Sequence, residues 1–411
     1  MNCMLPAETD ALAAWWKNFL QGRYPWDDVT APPLRVVDLF CGSGGFGLGT
    51  AVAARCFGKR AVFGAIADAD KAATEVHSRS LPVRNVLNDS VSLMIDHSVD
   101  YRGTFAEFDY PPEILNEMLA AEVGKTDLLI AGPPCQGHSN LNNHTRRDDP
   151  RNDLFISTVA IAIALGTPAV VIENVPSVTR SHGDVVEIAT LLFKNEGYAV
   201  ADGVIRMDAI GGWQTRARYF MVAIKGGDEE ALKTSLSQWT SAAGKRPAFE
   251  RAPLPSLWAI EDLLEMESAD TFDSAPIPGE ENARRIAYLF DNGEYDLPNS
   301  ERPDCHKEGT TYKSVYGRMH ETKPAPTITT GIGTPGQGRF IHPTKPRMIT
   351  PHEAARFQSF PDGYGFRSKG DVPRKLLAKW IGDAVPPFLG AVASGVALSH
   401  ALGQDFEPPW R

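Results

Sequence analysis

Residues 34–50, LRVVDLFCGSGGFGLGT, decide the fold class. An apolar run, Leu34 to Phe40, ends in a glycine-rich turn and passes into an alanine-rich stretch of helical character, the order strand, glycine loop, helix. Gly42, Gly44 and Gly47 spell G-x-G-x-x-G. Glycines at this spacing let the backbone turn tightly and approach a ligand closely. Asp68 follows about twenty residues later, the distance at which a carboxylate meets the ribose hydroxyls of a bound nucleoside. The loop alone suggests a dinucleotide, is used equally to hold another nucleoside cofactor, and is less often a tight turn with no ligand.

Three more apolar runs end on residues capable of chemistry. Ala61 to Ala67 stops at Asp68 and Asp70, Asp127 to Ala131 at GPPCQ, and Ala169 to Ile172 at Glu173. Short apolar runs alternating with helical segments predict a doubly wound, mostly parallel α/β sheet, whose ligands bind beyond the carboxyl ends of its strands. The suspicious residues then share one rim. After the strand-like Tyr219 to Ile224 the periodicity breaks down and prolines and glycines accumulate until Gly338. The expected organisation is an N-terminal extension (1–30), a catalytic and cofactor domain (31–225), a second domain (226–338) and a returning segment (339–411) with helices at Thr350–Phe357 and Val385–Leu402.

Composition narrows the function class. The 411 residues are 43% hydrophobic and 22% charged, as in an ordinary globular protein. Five scattered cysteines, with no CxxC pair, form neither a disulfide framework nor a zinc site and fit a reducing, cytoplasmic setting. Residues 1–20 lack the pattern of a signal peptide, and the longest apolar run, Val159 to Leu165, is too short to span a membrane. Net charge is −10, which argues against a uniformly basic coat for nucleic acid. The distribution is uneven: residues 301–350 hold eight Lys/Arg against four Asp/Glu, and residues 61–130 hold five against twelve.

Cys135 stands in AGPPCQGHS directly after a strand, where two prolines stiffen the approach and Gly137 lets the chain turn away. A free thiol is a weak nucleophile until its thiolate is favoured, and a loop at a strand end near a helix start suits that activation. A buried cysteine is otherwise an inert small hydrophobe. The fragment imitates the PCxxC of zinc deaminases, but position 138 is His and no HxE precedes it, so no metal is expected. Glu173 in IENVP is either a solvated strand end or a placed hydrogen-bond partner. Gln214, Arg216 and Arg218 alternate in WQTRARYF and therefore share one face of an extended segment. That face suits a nucleotide's phosphate and base edge, or equally an edge strand protected by charge.

In order along the chain, DLFCGSGG, Asp68, Asp89, GPPCQG, DPRNDLF, IENV, QTRAR, the stretch from Arg339 to Phe366 and GDAVPP resemble the motifs of the C5-cytosine DNA methyltransferase family. The resemblance runs from Val36 to Gly390, with a variable stretch where that family carries its target-recognition domain. It implies the fold of S-adenosylmethionine-dependent methyltransferases, with S-adenosyl-L-methionine as cofactor and double-stranded DNA as substrate, and a restriction endonuclease as a possible separate partner. Cys135 is then the nucleophile that adds to C6 of a flipped cytosine. Glu173 contacts N3 and the amine, with Arg216 and Arg218 completing the catalytic set. Phe40, Gly42, Gly44, Asp68, Asp89, Pro134, Leu154, Asp383 and Val385 face the cofactor; Gln136, Ser139, Gln214 and Arg318 face the DNA. Three residues depart from the family pattern: Asp383 replaces Asn, Ala69 a larger apolar side chain, and His138 the Phe more often found after PCQG. Competing readings are a transfer-RNA methyltransferase on the same scaffold, opposed by the long recognition segment and the absence of a CFT tripeptide; a catalytically dead DNA-binding module; and an NAD-dependent dehydrogenase.

Overall fold

A computed structural model describes residues 10–134, 153–180, 184–241, 247–266, 268, 270–304, 307, 314–367 and 372–411. Cys135, Gln136, His138 and Ser139 lie outside the described residues. Seven strands form the central sheet: β1 (Pro33–Leu39), β2 (Arg60–Ala67), β3 (Val83–Leu87), β4 (Leu128–Ala131), β5 (Ala169–Asn174), β6 (Tyr198–Arg206) and β7 (Ala217–Lys225). Their order is β6-β7-β5-β4-β1-β2-β3. All neighbours pair in parallel except β7, which is antiparallel to both β5 and β6. The strand order reverses at β1, which pairs with β2 on one side and β4 on the other. A crevice opens beyond the strand ends at such a switch point.

Each inner strand is apolar on both faces because helices cover both. Leu34, Val36, Leu128, Ile130, Ala169 and Val171 face one hydrophobic layer, with the helices Gly45–Cys56 and Pro387–Leu402. Val37, Leu39, Leu129, Ala131, Val170 and Ile172 face the other, with Asp153–Leu165 and Val185–Asn195. The helices of the first layer approach closely: a Cβ added to Gly49 would lie 2.5 Å from the Pro387 carbonyl oxygen. The segment Arg374–Leu402 is long and apolar enough by composition to cross a membrane, yet 94% of its most apolar window is buried inside the protein.

Two expected domain boundaries are not boundaries of the core. The helix Ala11–Leu20 is not an appendage: Trp16, Phe19 and Leu20 are buried in the first layer, and Trp16 meets Trp213, Phe388 and Trp410 at ring centroid distances of 4.9–5.8 Å. Residues 226–241 continue the sheet's own packing, with Thr240 bridging Ile205 and the Ser241 amide bonded to the Val204 carbonyl. Farther on, Leu254, Trp258, Ile286, Leu289, Ala325 and Ile328 join the same apolar cluster as β1. The chain signals a change of periodicity after Ile224, but apolar side chains on both sides of that change pack together. The helix expected from Thr350 begins at Pro351, with Thr350 and Glu353 forming a reciprocal capping box.

Candidate active site

Strand register sets the site. Leu39 of β1 is level with Ala67 of β2 and Ala131 of β4, and Ala131 is level with Ile172 of β5. The next residues, Phe40, Asp68, Gly132 and Glu173, therefore emerge along one rim. They line a cavity of about 360 Å³, together with Gly42, Asp89, Pro134, Leu154, Arg218, Asp383 and Val385. The volume lies in the range of small-molecule sites. Ten of the residues singled out in the sequence thus converge, from strands, turns and the helix Arg374–Asp383.

The glycine turn is held by backbone geometry and one carboxylate. Phe40 has φ 55°, a left-handed conformation that costs a side-chain-bearing residue about 1 kcal/mol or more. Asp68 Oδ2 accepts the Gly42 amide at 2.9 Å, and Oδ1 accepts the Asp70 amide at 2.8 Å. Gly44, at φ 88°, is not part of the cavity lining; it passes so close to the core that a Cβ would lie 2.5 Å from the Tyr364 hydroxyl. Asp38 also faces the cavity. Neither of its oxygens has a hydrogen-bond partner among the described residues, although it is 1% exposed. Burial, reinforced by the charge of Asp68, raises its carboxyl well above the usual range.

At the other part of the rim, Glu173 Oε1 lies 2.7 Å from Arg218 Nε, and both side chains are largely buried. Burial raises the Glu173 carboxyl, more than Arg218 and Arg216 lower it. The adjoining Asn174 donates to the Pro133 carbonyl at 3.3 Å, tying the end of β5 to the proline pair that leads to position 135. A carboxyl that holds its proton more readily than usual, beside a fixed guanidinium, can give a hydrogen bond or a proton to a base nitrogen.

Burial sets Gln214 and Arg216 apart from the rim. Gln214 is fully buried and cannot reach a DNA groove: its amide donates to the Phe357 carbonyl and Gln358 Oε1 and accepts from the Ile328 amide. Arg216 is 2% exposed, with Nη1 on the Ile328 carbonyl and Nη2 on those of Gly382 and Ala384, so it braces the wall of the cavity and is absent from its lining. The alternation of 214, 216 and 218 puts them on one face, but chain from three distant segments covers most of it. Arg318 is sandwiched over Phe290 and Tyr295, 4.1 and 5.0 Å from the ring centroids, with Nε on the Pro343 carbonyl. It is half-buried, and these contacts fix its guanidinium plane against the two rings.

Two more residues line the cavity: Asp70, which the sequence offers only as a strand-end acid, and Lys379, which a reading of the sequence misses. Asp70, two residues past Asp68, caps the helix Lys71–Ser80 by accepting the Ala73 amide. Lys379, one helical turn before Asp383, bonds to Asp70 at 3.0 Å. The i, i+4 spacing of Lys379 and Asp383 is the signal that could have found the lysine. Among the described residues no group of three His, Cys, Asp or Glu side chains is placed to hold a metal.

Known proteins place this geometry. The chain is 39% identical over 88% of its length to Type II methyltransferase M1.BsuMI of Bacillus subtilis, covering 80% of that protein. It is 31% identical to Type II methylase M.HgiDII of Herpetosiphon aurantiacus over 64% of this chain and 74% of the relative. The fold superposes on a DNA modification methyltransferase encoded within an E. coli prophage with a TM-score of 0.55, at 22% identity and covering 90% of this chain and 100% of that one. S. pombe Dnmt2 methyltransferase gives 0.54, at 16% identity and 89% and 98% coverage. The family model described as C-5 cytosine-specific DNA methylase matches residues 34–394, which hold every residue of the cavity, and the chain belongs to that family of DNA (cytosine-5)-methyltransferases.

Proposed function

We propose that the protein transfers the methyl group of S-adenosylmethionine to C5 of a cytosine flipped out of a specific double-stranded DNA sequence, through a covalent bond to Cys135. The observation that carries this is the Glu173–Arg218 pair, fixed beside the Pro133–Pro134 approach and facing the same cavity as Asp68 and Asp89. The cavity chemistry fits the donor. Asp68, Asp70, Asp89 and Asp383 set four carboxylates against two cations, Arg218 and Lys379, while burial pushes the carboxyls of Asp38 and Glu173 up toward their neutral forms. Such a lining attracts a sulfonium and an ammonium and repels the pyrophosphate of a dinucleotide. In this reading Asp68 takes the ribose hydroxyls, while Phe40, Val91, Leu154 and Val385 supply apolar surface for a purine.

When bound, S-adenosylmethionine supplies an electrophilic methyl group. C5 of cytosine is a poor nucleophile until C6 carries a substituent. The Cys135 thiolate adds to C6, the π electrons move toward N3, and Glu173 donates a proton or hydrogen bond there while Arg218 holds the base oxygen. After C5 is methylated, loss of its proton and expulsion of the Cys135 thiolate restore the aromatic ring. The base must leave the stack first, at a cost of a few kcal/mol. The M1.BsuMI likeness suggests a role in restriction-modification, with any endonuclease acting separately.

Incubation with tritiated donor and either duplex DNA or tRNA tests the substrate class, label in DNA alone being expected. A duplex carrying 5-fluorocytosine should trap the wild type covalently, because no C5 proton can leave. Cys135→Ser should lose transfer and trapping while binding the donor within a few-fold of wild type. Trapping that persists in Cys135→Ser would show that the nucleophile lies elsewhere.

A further inference from the structure

Arg218 and Lys379 are the two cations among the cavity's described lining residues, and they are used differently. Arg218 is bound to Glu173 and belongs to the base-handling end of the chemistry. Lys379 extends from the helix Arg374–Asp383 to within 3.0 Å of Asp70 Oδ2 and 3.5 Å of Asp383 Oδ2. Asp70 gives its amide to Asp68, and Asp68 accepts the amide of Gly42. A continuous line of contacts therefore runs from the glycine turn to the opposite wall, and Lys379 closes it.

This ammonium does little for folding. Its side chain is half exposed, and ion pairs in that setting contribute little to stability. Burial lowers its pKa, but the hydrogen bond to Asp70 and the charge of Asp383 more than reverse this, so the cation is secure. The donor needs such a group. Besides its two cationic centres it carries a carboxylate, which Asp68, Asp70, Asp89 and Asp383 of the lining repel. The first-turn amides of the helix Gly45–Cys56 are the other available donors for an anion.

We propose that Lys379 binds the carboxylate of the donor's amino-acid part, with Asp70 and Asp383 holding its ammonium at the cavity. The proposal rests on the S-adenosylmethionine reading above. It also gives Asp383 a task, because its carboxylate stands 3.5 Å from the Lys379 ammonium and holds it by charge.

Calorimetry on the full chain, with S-adenosylmethionine and with its decarboxylated analogue, tests this without turnover. The quantity read is the ratio of the analogue's Kd to the donor's, compared between proteins at about 0.15 and 0.5 M salt, because remote charge effects are screened at the higher value. Lys379→Met should lower the ratio at least fivefold at both salt concentrations, with Lys379→Gln behaving alike and circular dichroism showing an intact fold. Asp383→Asn should move it in the same direction by a smaller factor. An unchanged ratio, or a change confined to low salt, overturns the proposal and leaves the carboxylate to the helix amides. Failure of the wild type to bind either compound would overturn the cofactor reading itself, a different result.

Discussion

The brace around Arg356 and the cavity around Asp68 both bury charge, and they dispose of it in opposite ways. In the brace every charge is answered. Arg356, fully buried, reaches Asp362 at 2.5 and 2.8 Å, Asp262 at 2.9 and 3.2 Å and the Ala259 carbonyl. Glu353 takes both amino groups of Arg347, at 2.7 and 2.8 Å, and the Thr350 amide. Gln214 and Arg216 are enclosed by the same segment and those next to it. In the cavity, six carboxyl groups face two cations, and Asp38 has no hydrogen-bond partner among the described residues. Burying a charge without a partner is expensive, and burial accordingly raises the Asp38 carboxyl well above the usual range, favouring its neutral form. A fold that satisfies one cluster and leaves polar groups of its neighbour unsatisfied marks the second as the place where a ligand supplies partners.

The largest expected effect lies in the cavity. Glu173→Gln should lower the single-turnover methylation rate by about 10²–10⁴, the span of general acid–base contributions, while costing less unfolding free energy than any change at Arg356. A variant that loses stability and keeps its rate would put Glu173 with the brace and erase the contrast.

The brace should show the reverse. Arg356→Met removes the cation shared by Asp262 and Asp362 and should cost about 3–5 kcal/mol in urea denaturation, toward the lower end because both acids keep about a third of their surface in water. Donor affinity of the folded fraction should stay within a few-fold. Loss of donor binding in proportion to stability would mean that the two clusters are one unit.

Acid titration gives a somewhat smaller effect. Although burial opposes its ionisation, hydrogen bonds from Arg347 and His342 pull the Glu353 carboxyl down to about 2. Its folded pKa is thus below its unfolded one, so its contribution is present above the ordinary glutamate range near 4.5 and lost as the pH falls toward 2. This amounts to roughly 3 kcal/mol at most. Unfolding free energy measured between pH 6 and pH 3 should fall less steeply in Glu353→Gln. An unaltered slope would show that the brace is not held by this charge.

The smallest of these effects belongs to Gln214. Its replacement by Ala leaves the Phe357 carbonyl and the Ile328 amide without their partner and should cost about 1–3 kcal/mol. The salt dependence of DNA affinity should not move, because that slope counts phosphate contacts. A shallower slope would return Gln214 to the DNA surface.

What the chain disclosed follows from local chemistry. AVVIEN and LRVVDLF read as strands ending at a site because buried parallel strands are continuously apolar and their ends are abruptly polar. The strand VRNVL is hard to see in the sequence because it lies at the sheet edge, alternates and is mostly half exposed. The strand Tyr198–Arg206 is hidden by Asp202 and Gly203, and the reversed direction of β7 is set by that neighbour. For Gln214 and Arg216, alternation gives the shared face and cannot give its covering, since the partners are 112 to 168 residues away. Lys379 is hidden for the same reason: its partner Asp70 is 309 residues distant.

That last separation bears on how the enzyme comes into being. During synthesis the acidic half of the cavity, from Asp38 to Asp89, leaves the ribosome long before the wall from Lys379 to Val385 exists. Contacts so distant in sequence close late, after the entropy of a long loop has been overcome. A growing chain therefore carries those acids of the cavity before the lysine that bridges Asp70 and Asp383 exists. The cavity is thus a feature of the finished chain alone, assembled from segments that no partial product holds together.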